Sequence, residues 1–460
     1  MAKPTFTGVA MDFAIPEYVR HRDNKRLPDA IPGRYGLPLL GDTFRYVVDP
    51  FSVLDECYQQ YGSVSRISLT FQKMVLALGP EYVQQLMLDS DQVFSSRMGY
   101  DAPLGDFFAG GLLMRDFAEH KFHRRIMQTA FKIDAMRNYT GQMHPIIDRR
   151  LEDWADQSDF RFYPNIKKLL LDIGAKVFLG MDLAGAETEA LNRNFLEMNE
   201  GIMALIRKDW PGLLYRRGMN GRRALEDFFV GLVPERRGVS GTDMATFFAN
   251  ETTEEGEYFS DAVVGEHLIF LLLAAHDTTT SALTMAAYYL ANDQAWQDRL
   301  REEAQAAGVL DYDGLSAIPD LQNSFHEVLR MNPPVPSLMR RTVKPVVVGE
   351  YELPAHTMVQ ASPIYTHRME EYWSQPHSYD PDRFARKEHK QHSFLWAPFG
   401  GGAHKCIGLH FADMLYKCTL SAILRNFRFS FVNDAQYPGR IQHFPFAKPM
   451  DNLPLKLEAL

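Results

Sequence analysis

Apolar and polar residues alternate along this chain in two rhythms. Val64-Ser65-Arg66-Ile67-Ser68-Leu69 alternates over a short span, and Lys73 to Gly79 continues the pattern, which predicts half-buried strands. From about Pro80 to Asn332 the apolar spacing is helical. Strand-like runs return at Pro345 to Gln360, folded on a Gly349-Glu350 turn, and at Phe427 to Val432, before a proline-rich tail that ends at Leu460. Upstream, Ile31-Pro32-Gly33 and Leu37-Pro38-Leu39-Leu40-Gly41 are punctuated by residues that oppose helix and suit an extended arm. The expected fold is mainly α: a large helical body with a smaller β-sheet region built from both ends of the chain. Distant segments that share a sheet argue against independent domains, so residues 1–30 read as an N-terminal arm and 31–460 as a single domain.

Two helical stretches stand out. Ser260 to Asn292 predicts one helix of about 30 residues, about 45 Å at the usual rise. Its most apolar run, Leu268 to Ala275, is flanked by Glu266, His267, His276 and Asp277. A membrane span needs about 20 apolar residues, so this run predicts a buried core helix. Leu409 to Asn426 carries apolar residues at Leu409, Ala412, Leu415, Leu420 and Leu424. Met1 to Arg26 mixes apolar, proline and charged residues without a basic segment leading into an apolar one, so no secretory signal is read there. The expectation is a soluble, cytoplasmic protein.

Composition narrows the classes. At 460 residues the length prior suggests about three domains, against the single domain expected from the strands. With 12% aromatic residues, disorder is excluded as the main state. A net charge of −9 disfavours a nucleic-acid partner. The three cysteines, Cys57, Cys406 and Cys418, are too few and odd in number for a disulfide framework and fit a reducing compartment.

The strongest local signal is Phe399-Gly400-Gly401-Gly402-Ala403-His404-Lys405-Cys406-Ile407-Gly408. Consecutive glycines permit a tight backbone that lies flat against a planar ligand. Cys406 falls at or just before the N-terminus of the Leu409–Asn426 helix, where unpaired amides and the helix dipole stabilise a thiolate. Taken alone, the loop also fits a buried, inert cysteine beside a turn; a phosphate loop lacks its Lys-Ser or Lys-Thr ending. The segment resembles the haem-binding signature of the cytochrome P450 family, Phe-x-x-Gly-x-x-x-Cys-x-Gly, matched at Phe399, Gly402, Cys406 and Gly408. The family often has arginine where this chain has His404, and its sterol 14-demethylases carry histidine there.

The resemblance extends over Pro32 to Pro449 through further motifs in the family's order. Ala274-Ala275-His276-Asp277-Thr278-Thr279 matches the oxygen-activation motif, with Ala275 where glycine is common. It implies that Thr278 hydrogen-bonds dioxygen and helps deliver protons, with Asp277 linking that hydroxyl to water; His276 receives no catalytic role. Alone, Thr278 fits equally a back-bond to the Ala274 carbonyl. Glu327 and Arg330 share a helix face at i, i+3 and match Glu-x-x-Arg, joined by Arg383 of Pro381-Asp382-Arg383-Phe384; all three are expected to be structural. His120 and Arg124, at i, i+4, match the helix that binds one haem propionate, and Arg340 the arginine for the other, with Arg341 as its alternative. Gly400 and His404 join the expected cofactor contacts.

The implied cofactor is haem b (iron protoporphyrin IX), with Cys406 as the iron ligand. The implied reaction is reductive activation of dioxygen and hydroxylation of a hydrophobic substrate of steroid, terpenoid or fatty acyl type. By family position the substrate pocket takes Tyr100, Leu104, Phe107, Phe108, Leu271, Ala274, Ala275, Pro336, Leu338 and Met339, with the turn near Asn452. His404 and the Ala-Ala-His-Asp-Thr-Thr helix place the nearest likeness with sterol demethylases and retinoid hydroxylases. Electrons are expected from a ferredoxin-type donor with its reductase, met by Lys121, Arg125, Lys405 and Lys417. No membrane anchor is expected. The rival readings are a peroxide-dependent haem-thiolate peroxygenase and a non-enzymatic haem-binding sensor. A histidine-rich metal hydrolase comes last, because His120 and His123 lack the His-Glu-x-x-His pattern.

Overall fold

A computed structural model describes residues 27–37, 40–69, 72–181 and 186–460. Met1 to Arg26, where the absence of a secretory signal was read, and nearly all of the expected arm lie outside these. The longer helices are α1 (Pro50–Tyr61), α2 (Pro80–Leu88), α3 (Ser96–Phe108), α4 (Phe117–Gln128), α5 (Ile133–Ala155) and α6 (Phe162–Leu179). They continue as α7 (Ala186–Ile202), α8 (Leu214–Arg236), α9 (Asp261–Asn292), α10 (Gln294–Ala307), α11 (Pro319–Met331) and α12 (Leu409–Asn426). The strands are β1 (Val64–Leu69), β2 (Gln72–Ala77), β3 (Phe94–Ser95), β4 (Leu338–Thr342), β5 (Val346–Val348), β6 (Tyr351–Leu353) and β7 (Met358–Ala361). After α12 come β8 (Phe427–Phe431), β9 (Ile441–Gln442), β10 (Lys448–Pro449) and β11 (Leu455–Ala459).

The main sheet has the order β1-β2-β7-β4-β3. β1 and β2 form an antiparallel hairpin, β2 runs parallel to β7 with Val75 opposite Val359, and β7 pairs antiparallel with β4, Val359 opposite Arg340. Early and late segments of the chain therefore share one sheet, as the strand pattern requires. The β5–β6 hairpin turns at Gly349, which sits at φ +62°, and β11 pairs with β8.

The chain divides into two compact units. One holds Tyr100–Arg149 and Lys167–Asp277. In it α7 and α8 meet on glycines: a Cβ on Gly218 would fall 2.6 Å from the Cα of Gly201, so a larger residue has no room. The other holds Arg150–Ile166, Thr278–Leu460 and the described part of Ile15–Gly99. Its sheet is packed through Val75, Ala77, Val348, Val359 and Ala361, and α12 is buried without a break from Met414 to Leu424. The long helix α9 is apolar enough to cross a membrane, yet 72% of its most apolar stretch is buried inside the protein, the condition of a core helix.

Candidate active site

The glycine loop carries Cys406 to the start of α12. The Cys406 amide donates to the Phe399 carbonyl at 2.9 Å, closing the loop on itself. Gly402 sits at φ +59°, and a Cβ there would lie 1.9 Å from the carbonyl oxygen of Met87, so only glycine lets the loop lie against α2. Cys406 is exposed, whereas Cys57 and Cys418 are buried. Burial pushes those two thiols up to about 11 and about 12, which leaves Cys406 as the one exposed thiol of the three.

Behind the loop stands a saturated ion-pair network. Arg330 on α11 donates to both oxygens of Glu327, Nε to Oε2 at 2.7 Å and Nη2 to Oε1 at 2.8 Å. Arg383 Nε and the Asp380 amide complete Oε1 at 3.0 and 2.9 Å. All three charged side chains are fully buried. Arg330 Nη1 also donates to the carbonyls of His367 and Pro376, both at 2.8 Å. The His367 ring in turn accepts the Ala397 amide at 3.0 Å, two residues before Phe399. His367 thus bridges the network to the approach of the cysteine loop, a role with no local sequence signal.

On α9, Ala274 is exposed and Ala275 and Thr278 are half-buried, while His276, Asp277, Thr279 and Thr280 are buried. A core helix is thus uncovered along a short stripe of small residues. Asp277 faces a polar cluster instead. Asn199 Nδ2 donates to its Oδ2 at 2.9 Å. Lys167 Nζ and His276 Nδ1 each lie 3.0 Å from Oδ1, but Oδ1 has no aligned hydrogen bond. Burial disfavours the charged carboxylate; His276 and then Lys167 outweigh it and hold Asp277 at about 2. His276 Nε2 donates to the Lys167 carbonyl at 3.0 Å, so His276, left aside from the sequence, is one of the groups fixing the acid. Lys167 and Asn199 come from α6 and α7, too distant in sequence for any spacing to reveal.

The expected cofactor contacts divide clearly. Arg340 is buried on β4, with Nη1 donating to the Met339 carbonyl at 2.9 Å and Nη2 3.8 Å from the Met87 sulfur. No carboxylate among the described residues pairs with it. Arg341, facing the other side of the strand, donates to Gln72 at 3.1 Å. His120 is buried on α4 and Arg124 is half-buried one turn later; His404 is half-buried in the glycine loop. Of the expected pocket wall, Tyr100, Phe107, Phe108, Leu271 and Pro336 are buried, Leu104, Leu338 and Met339 half-buried. The Phe107 ring packs edge-on against Tyr215 and Phe108 against Phe270. The expected cationic patch needs a correction at Lys417. It is 3% exposed, donates to the Leu315 carbonyl and pairs with Asp413, both at 3.0 Å, because α12 is enclosed on nearly every side.

These residues fit haem. An exposed thiol opens a helix N-terminus, and Met87 touches both its loop and a buried arginine that no carboxylate among the described residues pairs with. A thiolate-ligating, planar group that carries anionic substituents answers both requirements. The class is therefore that of haem-thiolate monooxygenases. The chain belongs to the cytochrome P450 family, whose sequence model, Cytochrome P450, matches residues 31–456. A Mycobacterium tuberculosis protein carrying the name cytochrome P450 136 is 36% identical over 436 residues, 93% of this chain and 88% of the relative. Obtusifoliol 14-alpha demethylase of Sorghum bicolor is 25% identical over 426 residues, 89% of this chain and 86% of that protein, in line with the likeness to sterol demethylases. The structure of retinoic acid-bound cyanobacterial CYP120A1 shares the fold with a TM-score of 0.86 at 23% identity, covering 95% of this chain and all of that one.

Proposed function

We propose that this monooxygenase holds haem b and hydroxylates a substrate of steroid, terpenoid or fatty acyl type with electrons from a ferredoxin-type donor and its reductase. The observation that carries the reading is the exposed Cys406 at the N-terminus of α12, in a chain whose other two thiols are buried. Haem, once bound, supplies dioxygen activation and oxygen transfer. Cys406 would ligate it as thiolate, with Phe399, Gly400 and Gly408 shaping the loop, and Arg340, His120, Arg124 and His404 would meet its propionates. The buried Arg340 without a carboxylate supports it over Arg341. Glu327, Arg330 and Arg383 keep the approach to the loop in place.

Thr278 Oγ1 presents the proton donor and Asp277 replenishes it. Ionised Asp277 takes up a proton at a carboxylate oxygen only after leaving Asn199 or Lys167, so those partners set the cost of each delivery. The aliphatic and aromatic wall from Tyr100 to Phe108, with Leu271, Ala274, Ala275, Pro336, Leu338 and Met339, orients an apolar substrate and excludes water. Exposed Lys405, next to Cys406, and exposed Lys121 and Arg125 supply cations for an acidic donor; the protein proposed is soluble and cytoplasmic, with α9 as a core helix.

The test is a ligand screen of steroids, terpenes and fatty acids for spin-state shifts, followed by substrate-dependent oxygen consumption. Shifts with hydroxylated product support the reading. Turnover with peroxide and none with dioxygen favours the peroxygenase, and bound haem with no substrate-dependent oxygen uptake favours a sensor.

A further inference from the structure

Two buried histidines stand outside the chemistry described so far. His123 on α4 is 2% exposed and His267 on α9 is fully buried. His123 Nδ1 lies 3.1 Å from His267 Nε2, and Arg115 Nη1 lies 2.8 Å from His123 Nε2. Donor chemistry fixes the direction of this chain. A guanidinium only donates, so His123 Nε2 accepts, and the neutral ring carries its hydrogen on Nδ1. That N–H donates to His267 Nε2, which places the His267 hydrogen on Nδ1, a buried atom with no hydrogen-bond partner among the described residues. Arg115 is itself held by Glu119 at 2.6 Å and by the Gly110 carbonyl at 3.0 Å.

We propose that Arg115, His123 and His267 form a latch between α4 and α9 that positions His120 and Arg124 for haem and opens when either ring takes a proton. The proposal rests on the reading of His120 and Arg124 as propionate partners. His123 sits within the same two turns as both, so whatever ties His123 to α9 fixes where they point. The surroundings make protonation costly. A proton on His123 Nε2 faces the Arg115 guanidinium, and a proton on His267 Nε2 faces the His123 N–H, so each turns a hydrogen bond into a donor–donor clash. The other ionisable groups around the pair are Glu119 and His120 on α4, and Glu266 on α9, which is itself paired with Arg222 of α8. Phe122 and Phe259 pack on one another beside the His123 ring. Burial, with Arg115 and His120 adding to it, holds His123 at about 3, and burial holds His267 well below the usual imidazole range. Both folded values lie below the unfolded one, so the latch contributes fully above about pH 6.5 and is lost as pH falls from there.

Haem transfer from the holoprotein to excess haem-scavenging globin, followed at the Soret band at pH 7.5 and 5.5, tests the latch. His267→Phe strands the His123 N–H and is expected to speed transfer about tenfold at pH 7.5, the low end for losing a partner behind a ligating group. His267→Gln supplies an amide oxygen to that N–H and is expected to restore the rate to within about threefold. The double variant His123→Phe/His267→Phe removes both titrating rings, and its acceleration from pH 7.5 to 5.5 is expected to be at least about threefold smaller than that of the native chain. A native rate in His267→Phe, or no rescue by His267→Gln, overturns the latch; so does an unchanged acid response in the double variant. If the double variant does not fold, the Phe and Gln single variants decide. Arg124→Leu separates the two readings. If it accelerates transfer while His267→Phe does not, the latch fails and the propionate reading stands; if it leaves transfer unchanged, the propionate reading of Arg124 fails.

Discussion

Two buried carboxylates in this protein each meet two basic side chains, yet they are held in opposite ways. Glu327 receives four aligned donors, from Arg330 Nε and Nη2, Arg383 Nε and the Asp380 amide. Asp277 has one aligned hydrogen bond, from Asn199, and its other oxygen lies 3.0 Å from Lys167 Nζ and from His276 Nδ1 without hydrogen-bond alignment. A carboxylate locked by four bonds cannot move without leaving buried donors unpaired. A carboxylate with a single aligned bond leaves fewer donors unpaired when it exchanges partners. The first arrangement, a glutamate with two arginines, suits a scaffold, and the second, an aspartate with a lysine, a histidine and an asparagine, suits a proton carrier.

Breaking the scaffold produces the largest effect. Glu327→Ala leaves two buried arginines without their shared anion and is expected to cost about 3–5 kcal/mol of stability. Thermal unfolding is expected to show this together with loss of haem loading; a variant that melts and loads like the native protein would contradict the role assigned to the network. Asp277→Asn keeps the shape and the Asn199 neighbourhood but removes the carrier. Dioxygen-dependent turnover is expected to fall about 100-fold or more while folding and haem loading persist. If stability collapses and coupling to product is unchanged, Asp277 belongs with Glu327 and the comparison fails.

Acid separates the two regions next. Burial holds His326 and His367, beside the Glu327 network, at about 3. Their folded values lie below the unfolded value of about 6.5, so the unfolded chain binds more protons in between and stability falls as pH drops from about 6.5. Asp277 is depressed from the usual carboxylate value to about 2, so its contribution is complete above about pH 4 and is lost only below it. Melting temperatures across pH 8 to 4 are therefore expected to decline equally in the native chain and in Asp277→Asn. A variant-dependent slope in that window would show that Asp277 titrates far above its assigned range. The smallest effect is expected from Asn199→Ala, which removes the aligned bond: about 1 kcal/mol of stability, with a few-fold change in the fraction of reducing equivalents lost as peroxide. No change in that fraction would mean that Asn199 does not govern the carboxylate.

The legible parts of this protein are those whose signal is local. The bounds of α9, the strand pairs β1–β2 and β5–β6, the Gly349 turn and the Phe399–Gly408 loop all follow from periodicity or from residues a few positions apart. Glu327 and Arg330 were visible as one turn of helix, and Arg383 through the resemblance. The partners that give Asp277 its character were not visible: Lys167 and Asn199 lie 110 and 78 residues away, brought in by packing of α6 and α7. The His123–His267 contact spans 144 residues and was hidden for the same reason. Lys417 failed for a different cause. The apolar positions of α12 suggested one buried face, but the helix is buried from Met414 to Leu424, and a lysine there must pair inward with Asp413 and the Leu315 carbonyl.

Cys406, alone among three thiols, is proposed to ligate haem iron. The most direct test is the absorption spectrum of the reduced protein under carbon monoxide for the native chain, Cys406→His, Cys57→Ser and Cys418→Ser. A Soret band at the thiolate-ligated position is expected in the native chain and in both serine variants, and its loss in Cys406→His. A thiolate band that survives Cys406→His, or that disappears in Cys57→Ser or Cys418→Ser while haem remains bound, would contradict ligation by Cys406.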